Sequence, residues 1–213
     1  MEFKDFLKHI PNITKVSLPA EEAHVKMMPK NRREELRNID IKNCNPKNAA
    51  VMMLFYPKHN ETTIVLIIRA SHTGVHSSQI AFPGGKEEPE DNSLVRTALR
   101  ETEEEIGVQT KNIEVIRKFT EVYIPPSNFL VTPFLGITDK QPNFILQEEE
   151  VAGIVEIPLN LLFNNNILVS RKLKTSYASE IDVPAFLVNN HIVWGATAMM
   201  INELKETLLN SIK

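Results

Sequence analysis

The stretch "NSLVRTALRETEEEIG", residues 92 to 107, constrains this chain more than any other. At about 100° per residue, Val95, Ala98, Leu99, Thr102 and Ile106 fall on one side of a helix and form a stripe that demands burial. Glu101, Glu104 and Glu105, spaced i, i+3, i+4, gather beside that stripe and not opposite it. Arg96 and Glu103 point away, to solvent. Gly107 stands where a left-handed C-terminal cap is expected. Any fold that buries this helix therefore brings three carboxylates to the rim of its core. Like charges at i, i+4 cost roughly 0.2–0.5 kcal/mol per pair in water, and more when desolvated. Arg100 is the nearest cation and can pair with Glu104, but it cannot neutralise all three. A hard divalent cation with oxygen ligands can.

The segments around this helix read mostly as strands. "AAVMMLFY" (49 to 56) and "TTIVLIIR" (62 to 69) are β-rich runs joined by "PKHNE", a hairpin signal. "QIAFPGG" reads as a short strand ending in a turn. Gly84 and Gly85 there let the backbone bend sharply and approach a ligand. "GGK" is not a phosphate-binding P-loop, because position 80 is Ile where that motif needs Gly, and Glu87 stands where it needs Ser or Thr. "IEVIRKFTEVYI", "FLVTPFLGIT" and "EVAGIVEI" are further strands, with "PPSN" as a turn between the first two. Pro158 opens a short helix in "PLNLLF". "AFLV" and "HIVW" flank an "NN" hairpin, and "ATAMMINELKETLLNSI" reads as a C-terminal amphipathic helix. The first 48 residues differ in texture, with short amphipathic helices expected at "PAEEAHVKMM" and "NRREELRN". The expected organisation is an N-terminal helical extension, residues 1 to 48, joined to one α/β domain with a mixed sheet, residues 49 to 213.

Composition narrows the function. A chain of 213 residues with a net charge of −3 has no basic surplus to hold nucleic acid or an anionic membrane. Cys44 is the one cysteine, which excludes an internal disulfide and fits a reducing cytosol. The apolar runs are too short to span a bilayer, and the N-terminus lacks the apolar core of a signal peptide. A cytoplasmic protein is expected.

The segment "GGKEEPEDNSLVRTALRETEEEIGV" resembles the Nudix box, G-x5-E-x7-R-E-U-x-E-E-x-G-U, with U bulky and apolar. Arg100, Glu101, Glu104, Glu105, Gly107 and Val108 match its second half, while Thr102 takes an apolar position. One extra residue separates Gly85 from Arg100, so the first acid of the pattern becomes Asp91. Both departures are similar to the subgroup of Nudix hydrolases that act on coenzyme A. The upstream "VLIIRASHTGVHSSQIAFPGG" also resembles that subgroup's signature, L-L-T-x-R-[SA]-x3-R-x3-G-x3-F-P-G-G. Arg69, Ala70, Phe82, Pro83, Gly84 and Gly85 match it, and Gly74 and Ser78 depart from its second Arg and its Gly.

The resemblance implies an α/β/α sandwich and metal-dependent hydrolysis of a pyrophosphate in a nucleoside diphosphate derivative. It assigns Mg²⁺ or Mn²⁺ to Glu101, Glu104 and Glu105, and gives Arg100 the task of orienting a carboxylate. Glu150, in "QEEEV", becomes the candidate for a further ligand or general base from a distant loop. Arg69, Gly84, Gly85 and Lys86 fall on the substrate side, with His72 and His76 as further candidates to replace the missing Arg. Coenzyme A or an acyl form is the implied substrate, cut to 3',5'-ADP and 4'-phosphopantetheine. ADP-ribose, an NDP-sugar or a dinucleotide is the alternative within the class. A non-catalytic nucleotide-binding module is the alternative outside it. Enzymes of this kind are often homodimers.

Overall fold

The computed structural model describes residues 1–29, 33, 39–70, 79–175 and 178–212. Five helices are described: α1 (Phe3–Lys15), α2 (Ala20–Lys26), α3 (Leu94–Ile106), α4 (Leu159–Phe163) and α5 (Gly195–Ser211). Strands β1 (Lys47–Lys58), β2 (Glu61–Arg69), β3 (Ile80–Ala81), β4 (Gly84–Lys86), β5 (Glu114–Lys118), β6 (Val122–Ile124), β7 (Phe129–Ile137) and β8 (Val151–Pro158) form one mixed sheet. Strands β9 (Leu168–Thr175), β10 (Ala178–Val188) and β11 (His191–Trp194) form a second, antiparallel one.

β1 is the axis of the larger sheet. Along one edge it runs parallel to β7, from Lys47 opposite Phe129 to Phe55 opposite Ile137. Its other edge is shared: β2 pairs antiparallel with the Phe55–Lys58 end and β4 with Ala49–Val51. Between them the Met52 amide donates to the Pro83 carbonyl at 2.9 Å, so the "FPGG" turn is stitched to the middle of the strand. The β1–β2 hairpin closes through His59 and Asn60, both at positive φ (49° and 69°), and the β10–β11 hairpin through Asn189 and Asn190, at 47° and 65°. Such turns match the twist of the strands they join.

Side chains along β1 alternate between two cores, as strand geometry requires. Ala50, Met52, Leu54 and Tyr56 face α3, meeting Ala98, Leu99 and Ile106. Ala49, Met53 and Phe55 face the other way, into a core shared with Phe6 and Ile13 of α1 and with Leu204 and Leu208 of α5. The result is helix, sheet, helix: the expected α/β/α sandwich with a mixed sheet and an N-terminal helix.

Three expectations are corrected. The first helix begins at Phe3, where sequence reading placed none: Pro11 lies inside it and argues against helix locally. Burial of Phe3, Phe6 and Ile13 overrides that penalty. Pro158 is the N-cap of α4 and not its first helical residue. α5 is buried on most of its circumference, not on one face, because its polar side chains find partners inside. Thr197 Oγ1 donates to the Ile80 carbonyl at 3.0 Å, Lys205 Nζ to Asn165 Oδ1 at 2.9 Å, and Glu203 sits between His24 and Thr120. The expected helix at "NRREELRN" lies outside the described residues, Arg33 excepted. Among the described residues no helix is long and apolar enough to cross a membrane.

Candidate active site

α3 begins at Ser93, whose hydroxyl accepts from the Arg96 amide at 3.4 Å, and ends at Gly107 with φ 72°. The Gly107 cap agrees with the sequence, Ser93 adds the N-cap, and together they fix where the three glutamates lie. Glu105 is on the buried side, 1% exposed. Its Oε2 accepts the Gly84 amide at 2.8 Å, and its Oε1 lies 3.4 Å from Arg69 Nη1. Glu101, one turn back, presses its carboxyl against Gly85: a Cβ on that glycine would stand 2.4 Å from Glu101 Cδ. Glu104 reaches solvent, and Glu103, the side chain expected to be solvated, caps the Thr110 amide at 3.0 Å.

Arg100 ties the acidic side chains together. Its Nη1 donates to Glu101 Oε1 at 2.9 Å and to Glu104 Oε2 at 2.8 Å. Its Nε and Nη2 grip both oxygens of Asp91, at 3.2 and 2.9 Å, and Nη2 also reaches the Lys86 carbonyl at 3.2 Å. A planar fork with five donors suits this bridging role, and a lysine could not reproduce it. Asp91 thus stands where the lengthened spacing required it to. The Arg100 hydrogen bond holds the Asp91 carboxyl down at about 2, against the opposing effect of burial.

The electrostatics of the glutamates run the other way. Burial pushes Glu105 up to about 7; the Gly84 amide and Arg69 oppose this, while the charges of Glu101 and Glu150 add to it. Burial also raises Glu101, with Arg100 opposing and Glu104 and Glu150 adding. Two adjacent carboxyls are therefore kept short of compensating positive charge, as functional sites often are.

Glu150 arrives from an exposed turn before β8. The Ala70 amide donates to its carbonyl at 2.7 Å, which anchors the turn beside the end of β2. The structure thus brings Arg69, Gly84, Gly85, Arg100, Glu101, Glu104, Glu105 and Glu150 to one side of the sheet. Lys86 joins through its carbonyl, with its side chain exposed. His72, Gly74, His76 and Ser78 lie outside the described residues. Sequence reading missed Gln147, which holds the turn that carries Glu150; its only signal was its position ahead of three consecutive glutamates. Among the described residues no three acidic or imidazole side chains converge as a ready-made metal cage. Arg100 Nη1 bonds to both Glu101 and Glu104, and Glu105 Oε2 accepts from the Gly84 amide.

Fold and site together define a mixed-sheet α/β/α protein with an acidic site on α3. The chain belongs to the Nudix family: the NUDIX domain model matches residues 46–176. It is 35% identical over 155 residues to the uncharacterized Nudix hydrolase NudL of Yersinia pestis (strain Pestoides F), covering 68% of this chain and 72% of that protein. NudL of Yersinia pseudotuberculosis serotype I (strain IP32953) matches equally, at 35% over 155 residues and the same coverage of 68% and 72%. Among solved structures, the MutT/nudix family protein from Enterococcus faecalis shares the fold, with a TM-score of 0.50, 18% identity, and coverage of 75% of this chain and 60% of that one.

Proposed function

We propose that this Nudix hydrolase cleaves the pyrophosphate of coenzyme A or its acyl derivatives, releasing 3',5'-ADP and 4'-phosphopantetheine or its acyl form. The observation that carries this reading is Asp91. The extra residue between Gly85 and Arg100 moves the first acid of the Nudix box, and both Asp91 oxygens meet the Arg100 guanidinium in the shifted position.

The donor set fits a hard cation. Glu101, Glu104 and Glu105 offer carboxylate oxygens, two of them raised by burial, and the absent side chain at Gly85 leaves the Glu101 carboxyl uncovered by carbon. These three would hold Mg²⁺ or Mn²⁺, which when bound neutralises phosphate charge and makes a coordinated water more acidic. The protein's own groups do the positioning. Arg100 keeps Glu101 and Glu104 on one side of α3, with Asp91 fixing the guanidinium from behind. The Gly84 amide aims Glu105. Glu150 takes a proton from the attacking water at its carboxylate. Arg69 and Lys86 meet phosphate oxygens as the P–O bond to the bridging oxygen breaks.

Incubation with coenzyme A, with and without Mg²⁺ or Mn²⁺, and mass spectrometry of the products tests this reading. The expected result is 3',5'-ADP only in the presence of metal, formed on the order of 100-fold or more slowly by Glu104→Gln. Metal-dependent AMP from ADP-ribose or NADH, with coenzyme A untouched, would keep the chemistry and move the substrate. No product in any tube would leave a nucleotide-binding module as the reading to pursue.

A further inference from the structure

The turn that carries Glu150 is built on one residue. Gln147 donates its own amide to the Glu105 carbonyl at 3.1 Å, so it is docked on the last turn of α3. Its carbonyl accepts from the Glu150 and Val151 amides, at 3.0 and 2.8 Å. Its side-chain Oε1 accepts from the Glu149 amide at 2.7 Å and, more weakly, from the Glu150 amide at 3.3 Å. Gln147 thus takes part in five hydrogen bonds of this turn, while the Ala70 amide, donating to the Glu150 carbonyl at 2.7 Å, ties its far end to β2.

Closure is needed because the turn is crowded with charge. Glu148, Glu149 and Glu150 are three consecutive, exposed carboxylates. They repel one another, and left alone such a segment would splay to separate its charges. Glu150 nevertheless sits close enough for its charge to act on both Glu101 and Glu105. A backbone that holds like charges together near more of the same sign requires fixed acceptors, and Gln147 supplies two. The same residue links the turn to the main chain of Glu105, so Gln147 joins the turn to α3 while the Ala70 amide holds its other end to β2.

We infer that Gln147 is the positioning residue that couples the Glu150 turn to α3, holding Glu150 in register with the attacking water. The inference rests on the hydrolase reading above and on Glu150 acting in the chemical step. Gln147 touches no substrate. Its amide-to-carbonyl bond with Glu105 survives any substitution except proline, whereas the two bonds to Oε1 depend on the side chain.

The test is a double-substitution cycle on whichever substrate the unsubstituted protein hydrolyses. Glu150→Gln is expected to lower kcat by about 100-fold, the scale of a lost general base. Gln147→Ala should lower kcat by about tenfold with KM changed less than about twofold, since misplacement of a catalytic group acts on the chemical step. In the Glu150→Gln background, Gln147→Ala should cost less than about twofold, because the effect runs through Glu150. Gln147→Asn, one methylene shorter, should lose about as much as Gln147→Ala, because its oxygen no longer reaches the Glu149 and Glu150 amides. Additive losses in the double variant, or full activity of Gln147→Asn, would overturn the inference. An inert Glu150→Gln would also overturn it, by removing the group to be positioned. Absence of turnover by the unsubstituted protein on every nucleotide derivative would instead count against the hydrolase reading, and is distinguishable for that reason.

Discussion

Gly85→Ala should give a folded but nearly inactive protein, while Gly84→Ala should give a protein that scarcely folds. The two glycines are adjacent, yet each lacks a side chain for a different reason. At Gly85 a Cβ would meet the end of a movable side chain, the Glu101 carboxyl, at 2.4 Å. Glu101 can swing away, so stability should fall by only about 1 kcal/mol. The carboxyl would then be displaced by an ångström or more, and hydrolysis should fall by about 100-fold. At Gly84 the Cβ would meet backbone, the Ala50 carbonyl at 2.3 Å and Val51 Cα at 2.6 Å, and φ is +151°, a conformation that L-residues rarely adopt. Neither obstacle can rotate aside, so the loss should exceed about 3 kcal/mol. Urea unfolding and initial rates on the two variants would check this. Equal stability of the two, or an active Gly85→Ala, would refute the account of the turn.

The second large effect is a pH dependence of stability in metal-free protein. Glu105 has an ordinary value of 4.5 and is raised to about 7 in the fold. A carboxyl raised by folding favours the protonated native state, so its contribution is fully present below pH 4.5 and is lost as pH rises through about 7. The loss corresponds to about 3 kcal/mol. Glu101 shifts in the same direction and adds to it. Asp91, lowered to about 2, has the opposite sign, but its contribution disappears only in acid and does not overlap this window. Unfolding free energy measured at pH 5 and pH 8 should therefore fall in the unsubstituted protein and much less in Glu105→Gln, whose amide oxygen can still accept from Gly84. At pH 8, saturating Mn²⁺ should return stability to the unsubstituted protein and little to the variant. Parallel pH profiles for the two proteins would show that Glu105 is not the group responsible.

Much of this site was legible because its parts are local. The buried stripe of α3, its cap at Gly107 and the crowding of Glu101, Glu104 and Glu105 all come from helical spacing. So does the separation of Glu103 from the other glutamates. What spacing could not supply is the partner of each carboxylate. The amide that holds Glu105 belongs to Gly84, 21 residues earlier, and the crowding of Gly85 by Glu101 exists only once β4 has paired with β1. Helical spacing offered Arg100 a partner in Glu104; its grip on Asp91 depends on the loop before α3 folding back. The fold shows the same division. β1 and β2 announce themselves through β-branched and apolar runs, and the hairpins through "HN" and "NN". β9 does not, because its residues 168 to 173 are mostly solvent-facing and carry no stripe that demands burial. α1 was concealed by Pro11, and only the pocket that receives Phe6 on the far face of the sheet explains why a helix forms there.

β1 is bonded along both edges and buried on both faces, which divides the molecule by the ease with which its parts open. Deuterium can reach the amides of residues 49 to 56 only when β7 and the β2–β4 edge have come away and both cores have opened, so their exchange reports global unfolding. The turn at 147 to 150, exposed at Glu148, Glu149 and Glu150 and held by a few bonds to Gln147 and the Ala70 amide, can open without disturbing that strand. The protein therefore has a rigid floor under an acidic turn of lower local stability, and loosening that turn leaves the strand that anchors the "FPGG" turn shut.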